Sequence, residues 1–99
     1  MEQELKKLSK MFDILSNEVR LCILFNLCLR GEKKVGDLQT CANSSQSFVS
    51  QQLSKLKDLG IIISRKEGNE VYYSICDDKI CQLIKLINTG GFVKWIIKD

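Results

Sequence analysis

Between Gln46 and Lys55 the chain sets out side chains that can read a polar surface. Gln46, Ser47, Ser50, Gln51, Ser54 and Lys55 fall between the apolar residues Val49, Leu53, Leu56 and Leu59. The apolar set recurs in steps of four, three and three, which marks one buried stripe on a helix. The outward set is unusual for what it omits, since no acid occurs between Asp37 and Asp58. Amides and hydroxyls edged with Lys, and no carboxylate among them, suit hydrogen bonding to base edges beside phosphate. Gln46, Ser47, Ser50 and Gln51 are the candidates for base-edge or phosphate contact, and Gln matches adenine N6 and N7 in a two-bond pair. Lys34, Lys55, Arg65, Lys66 and Asn69 are the candidates for phosphate or minor-groove contact.

The second reactive set is thiol. Cys22, Cys28, Cys41, Cys76 and Cys81 make an odd number, and no secretory leader is visible before them. That combination predicts reduced thiols packed as small hydrophobes rather than a disulfide framework. No two of them stand at CxxC spacing. The chain has no His, which removes the commonest general base and the commonest nitrogen ligand for a metal. Its Ser residues lack a His or Lys/Asp partner that would make one a nucleophile. With no cofactor motif and no paired carboxylates, the chain carries no visible enzyme chemistry, and no cofactor is expected.

Charge is distributed to match. From Lys33 to Lys66 there are six bases and two acids, a local balance of +4, while the whole chain is +3 and the remainder therefore −1. A basic excess confined to the candidate contact region is the footprint of a nucleic-acid partner. Ninety-nine residues make one domain with one small core. No run approaches the roughly 18 apolar residues of a membrane span. The start, Met1 to Lys7, reads as a charged helix rather than a signal peptide. A cytoplasmic protein without membrane partners is expected.

The elements that must hold these residues follow from periodicity. Residues 4–15 carry Leu5, Leu8, Met11, Phe12 and Leu15 on one helical face. Ser16 is placed to cap a second helix, 17–29, which is apolar nearly all round and so belongs in the middle of the domain. A short third helix spans 34–42, and residues 41–44 form a turn into the helix that ends at Gly60, with Ser44 or Ser45 as its cap. The β-branched run 61–66 and the alternating run 71–75 make a hairpin around residues 67–70, with Arg65 and Lys66 at its tip. Val71, Tyr73 and Ile75 share one face. Asp77 and Asp78 open a last helix, 78–88, striped by Ile80, Leu83, Ile84 and Ile87, and Thr89-Gly90-Gly91 ends it. Residues 92–97 form an apolar tail of undetermined conformation. The order α-α-α-α-β-β-α is a winged helix-turn-helix, mainly α with a β-hairpin. Its helix-turn-helix covers about 34–59, its wing about 61–75, and its two terminal helices about 4–15 and 78–88, all in one domain over 1–99.

These residues resemble the ArsR/SmtB family of bacterial winged-helix repressors. Leu15-Ser16-Asn17-Glu18-Val19-Arg20-Leu21-Cys22-Ile23-Leu24 is similar to that family's second-helix entry, with Asn-Glu where Asp/Asn-Pro is usual. Val35-Gly36-Asp37-Leu38 is similar to its third helix. Ser45 to Leu53 is similar to its recognition helix, with Gln51 and Gln52 where His is frequent, and Gly68 to Ile75 to its wing. The resemblance covers roughly residues 10–88. It implies a homodimer built from the first and last helices, binding double-stranded operator DNA, repressing transcription and released by a small inducer.

The same resemblance bears on what that inducer is. The family's third-helix thiolate cluster would need Cys near Gly36 and Gln39, and neither is Cys. Its last-helix metal site begins with an Asp that Asp77 matches, but the next ligand position is Lys79 and the later ones fall near Gly90 and Val93. No known metal site of the family is therefore expected; a soft-metal site would have to be built anew from the five cysteines. Family members that sense oxidants or reactive sulfur resemble this chain more, using one Cys on the second helix and one on the last. Cys22 or Cys28 pairing with Cys81 on oxidation, and loosening DNA binding, is the candidate thiol switch. Two rival readings stand beside it: a winged-helix protein-interaction module with no operator of its own, and a constitutive repressor with no sensor site.

Overall fold

The chain runs α1 (Glu2–Leu15), α2 (Glu18–Arg30), β1 (Lys33–Lys34), α3 (Val35–Ala42), α4 (Gln46–Asp58), β2 (Ile62–Glu67), β3 (Glu70–Ile75) and α5 (Asp78–Thr89). The structure is a computed structural model and describes residues 1–91. The apolar segment 92–97 lies outside the described residues. The architecture is the winged helix-turn-helix read from periodicity, with one addition. The sheet has three strands in the order β1-β3-β2, all antiparallel. β1 is only two lysines long and shows no alternation, so nothing in its sequence marks it as a strand. It pairs Lys33 with Tyr73 and Lys34 with Tyr72, and α3 accordingly starts at Val35, one residue later than the pattern placed it.

α2 is the axis of the domain. Ile23, Leu24 and Leu27 are buried and meet Leu38 from α3, Val49, Leu53 and Leu56 from α4, Ile61 and Ile62 at the start of β2, and Ile80 and Ile84 from α5. Burying a Leu or Ile of this kind contributes about 1.5–3 kcal/mol. These eleven side chains form one core against which the inner face of α4 is packed. Val71, Tyr73 and Ile75 do share a face, and Tyr73 and Ile75 pack against this core.

Caps fix the helix starts. Asn17, not Ser16, caps α2: its Oδ1 accepts from the Val19 and Arg20 N–H groups at 2.9 and 3.1 Å. Ser16 instead closes α1, its hydroxyl donating to the Asp13 carbonyl at 2.6 Å. Ser45 caps α4 through Phe48 N–H, and Asp77 caps α5 through the N–H groups of Lys79 and Ile80. α4 stops at Gly60, whose φ of 77° lets Ile61 N–H turn back to the Leu56 carbonyl at 3.0 Å.

The cysteines depart from expectation. Cys22 is bonded to Cys41, joining α2 to α3, and Cys28 to Cys81, joining α2 to α5; the Cα–Cα distances are 6.7 and 5.5 Å. Only Cys76 is a free thiol, and it is exposed. The odd count reflects one leftover residue rather than a reduced set. Cys22 therefore does not pair with Cys81; of the two alternatives, Cys28 does.

Candidate nucleic-acid interface

The interface is built on α4, whose apolar stripe is buried except for Leu59, which lies just past the helix end at Asp58 and is 55% exposed. Val49, Leu53 and Leu56 are buried, and so is one polar residue, Gln52, only 7% exposed. Gln46, Ser47, Ser50, Gln51, Ser54 and Lys55 are all exposed. The four base-edge candidates thus lie together on one outward ridge with Lys55 near its end. The turn before α4 is set by Asn43, held in the left-handed region at φ 50°, which Asn tolerates better than most residues. An open cleft lined by Gln39, Thr40, Asn43, Ser44 and Ser45 flanks the start of the ridge.

Two residues missed in the sequence hold α4 at its angle. Arg20, on α2, donates from Nη1 to Gln52 Oε1 at 2.9 Å, from Nε to the Ile14 carbonyl at 2.8 Å, and from Nη2 to the Asp13 carbonyl at 3.1 Å. One guanidinium therefore ties the end of α1, the start of α2 and the middle of α4. The signal was present as a cation in the first turn of a largely apolar helix and a Gln at a core-facing position. At the other end, Lys57 Nζ donates to Ser64 Oγ at 2.8 Å and braces α4 against β2.

The wing differs from the expected picture. Its tip is Gly68-Asn69, beyond the closing pair Glu67–Glu70. Arg65 and Lys66 lie on β2 below the tip, opposite Tyr72 and Val71, because the strand runs on to Glu67. Arg65 is engaged on all sides. Its Nε and Nη2 donate to the two oxygens of Glu32 at 2.8 and 2.7 Å, Nη1 donates to Glu67 at 2.5 Å, and its guanidinium carbon sits 4.6 Å from the centre of the Tyr72 ring. The hydrogen bonds from Arg65 hold the Glu32 carboxyl below its ordinary range, and the two carboxylates hold Arg65 more firmly protonated than usual. Lys34 lies 4.0 Å from Glu70. Exposed pairs of this kind add little stability, but they neutralise the charge of Lys34 and Arg65 locally. Among the described residues, Lys55 and Lys66 have no such partner, and Asn69 is exposed at the tip.

The model of the bacterial regulatory protein arsR family matches residues 17–64, from the cap of α2 into β2. A crystal structure of the transcriptional repressor BigR from Xylella fastidiosa is 30% identical, with a TM-score of 0.81 over 90% of each chain. This chain belongs to the arsR family. It is a transcriptional regulator of the winged-helix type and not an enzyme. Over 77 residues this arsR-family chain is also 42% identical to the cadmium resistance transcriptional regulatory protein CadC homolog of Staphylococcus aureus, spanning 78% of this chain but only 64% of that protein. A homodimeric winged helix-turn-helix domain from Mycobacterium bovis, solved in solution, is 28% identical with a TM-score of 0.74, covering 91% of this chain and 82% of that one.

The thiols of this arsR-family chain sit on either side of α2. Cys28 and Cys81 are half-buried, Cys22 is half-buried, and Cys41 is exposed. Among the described residues there is no group of three or more His, Cys, Asp or Glu side chains that could hold a metal ion. No helix among them is long and apolar enough to cross a membrane.

Proposed function

We propose that two copies of this chain bind an operator, insert α4 of each into successive major grooves, and repress transcription from it. The observation that carries the reading is the acid-free ridge of Gln46, Ser47, Ser50 and Gln51, exposed on a helix whose opposite face is fixed by Val49, Gln52, Leu53 and Leu56. Gln51 and Gln46 read base edges; Lys55, Lys66 and Asn69 contact phosphate or the minor groove. Arg65 and Lys34 join them by exchanging a carboxylate for a phosphate.

Dimerisation is supported by α1. It is amphipathic over fourteen residues yet has no buried residue, and Leu5, Leu8 and Phe12 are 54%, 45% and 57% exposed. Leu86 on α5 is 64% exposed. In this reading a second copy covers both faces; the Mycobacterium bovis neighbour is itself homodimeric. An oxidant or reactive-sulfur inducer is supported by the α2–α5 pair. In the reduced protein an oxidant such as peroxide takes two electrons from the Cys28 and Cys81 thiols; the sulfur–sulfur bond forms and two water molecules leave with the protons. The bond fixes α5, a dimer helix, to α2, and so changes the spacing between the two copies of α4.

The test is a mobility-shift assay on the DNA upstream of the chain's own gene, in dithiothreitol, then with peroxide, persulfide, zinc or arsenite. Salt-dependent binding in reductant that weakens with peroxide or persulfide, and is restored by reductant, is the expected result. Absence of binding in every condition overturns the operator reading; binding unaffected by oxidants overturns the thiol switch alone.

A further inference from the structure

The α2–α3 bridge is built differently from the α2–α5 bridge. Cys41 is exposed in the last turn of α3, whereas Cys28 and Cys81 are both half-buried. Beside Cys41 opens a cleft of about 350 Å³ lined by Asn26, Arg30, Lys33, Asp37 and Thr40. Two cations and one acid line it, so it favours an anion. Asn26 Nδ2 is in contact with Cys41 Sγ and donates to the Cys22 carbonyl at 3.0 Å, so a donor anchored on α2 lies against that sulfur. A neutral disulfide sulfur gains little from such a donor and two nearby cations; a thiolate gains much.

We propose that Cys41 is a thiol-exchange site, and that low-molecular-weight thiols bearing a carboxylate open the Cys22–Cys41 bridge through it, independently of Cys28–Cys81. The incoming thiolate attacks the exposed Cys41 sulfur and forms a mixed disulfide there. The Cys22–Cys41 bond breaks, and Cys22 leaves as a thiolate that takes up a proton from water. A second thiolate attacks the outer sulfur of the mixed disulfide, forms the free small disulfide and releases Cys41 as a thiolate held by Asn26, Arg30 and Lys33. Two small thiols are oxidised and one protein disulfide is reduced. The last turn of α3 leads directly into Asn43 and the Ser45 cap, so opening the bridge unclamps the turn that aims α4.

The experiment uses the unmodified chain in glutathione/glutathione disulfide buffers, quenched by alkylation and read by peptide mass mapping. Cys22 and Cys41 should become labelled at a reduced glutathione level about tenfold below that needed for Cys28 and Cys81. Amide hydrogen exchange in α3 should accelerate over that first step, with α5 unchanged. The C22S variant, treated with glutathione disulfide, should gain one glutathione on Cys41, and the C28S/C81S variant should keep the Cys22–Cys41 midpoint. Simultaneous opening of both bridges, opening of Cys28–Cys81 first, or a C22S protein that takes up no glutathione at Cys41 would each overturn the proposal. None of these readouts depends on DNA.

Discussion

Replacing Arg20 by Ala removes three hydrogen bonds at once, those to the Gln52 side chain and to the Ile14 and Asp13 carbonyls. The Asp13 bond is exposed and contributes little. The other two are partly buried, and a hydrogen bond to a charged group contributes about 1.5–3 kcal/mol. Gln52, 7% exposed, would keep its amide inside the domain without its partner. Water entering the vacated space offsets part of that loss, so Arg20→Ala should destabilise the domain by about 2–4 kcal/mol. For a chain of this length that corresponds to a fall in melting temperature of roughly 10 °C or more. Urea unfolding followed by circular dichroism, at one fixed redox state, measures it as a lower midpoint with an unchanged slope. Gln52→Ala and the double variant complete a cycle whose coupling energy should be about 1 kcal/mol or more. A cost below about 0.5 kcal/mol for Arg20→Ala, or single costs that simply add, would refute the idea that this guanidinium sets the seat of α4.

Other outcomes follow from the same geometry. Gln51→Ala should relax sequence preference at one operator position by about 1–3 kcal/mol while sparing non-specific binding, measured by competition among single-base operator variants. Lys66→Ala should weaken binding to all sequences and lower the slope of log affinity against log salt by about 1, and Arg65→Ala should do so less because Glu32 and Glu67 already balance it. The Glu32 carboxyl is held below its ordinary 4.5 by Arg65, so its contribution is present above that value and lost as pH falls through the lower folded one. Acid unfolding of Glu32→Gln should therefore be flatter below pH 4.5 than that of the parent, and an identical profile would count against the pairing. Leu8→Glu, placed on the uncovered face of α1, should shift sedimentation from dimer to monomer without lowering the helix content of the rest of the domain.

Most of the fold was legible because each element carries a pattern that burial enforces. The stripe of α4 and the all-round apolarity of α2 pointed to six of the eleven core residues before any packing was known, and Ser45, Asp77 and Gly60 stand where capping chemistry requires them. What escaped notice depends on contacts between distant residues. β1 is two lysines whose strand character comes entirely from pairing with Tyr72 and Tyr73. Arg20 and Gln52 are 32 positions apart, and neither has a local signature for the bond that joins them. The place of Arg65 was misjudged because strand length, unlike strand existence, is set by the partner: Glu67 continues the ladder and carries the tip to Gly68-Asn69. The odd cysteine count argued for reduced thiols and misled, since which thiols meet is decided by how α3 and α5 lie against α2.

The two cross-links interlace along the chain instead of nesting, in the order Cys22, Cys28, Cys41, Cys81. Any backbone scission between Cys22 and Cys81 is consequently spanned by at least one of them. A protease that nicks the hairpin or the turn before α4 would leave the fragments tethered, travelling as one species until the sulfurs are separated. The oxidised domain thus behaves as a pair of linked covalent rings, and its persistence after cleavage reports which ring is closed.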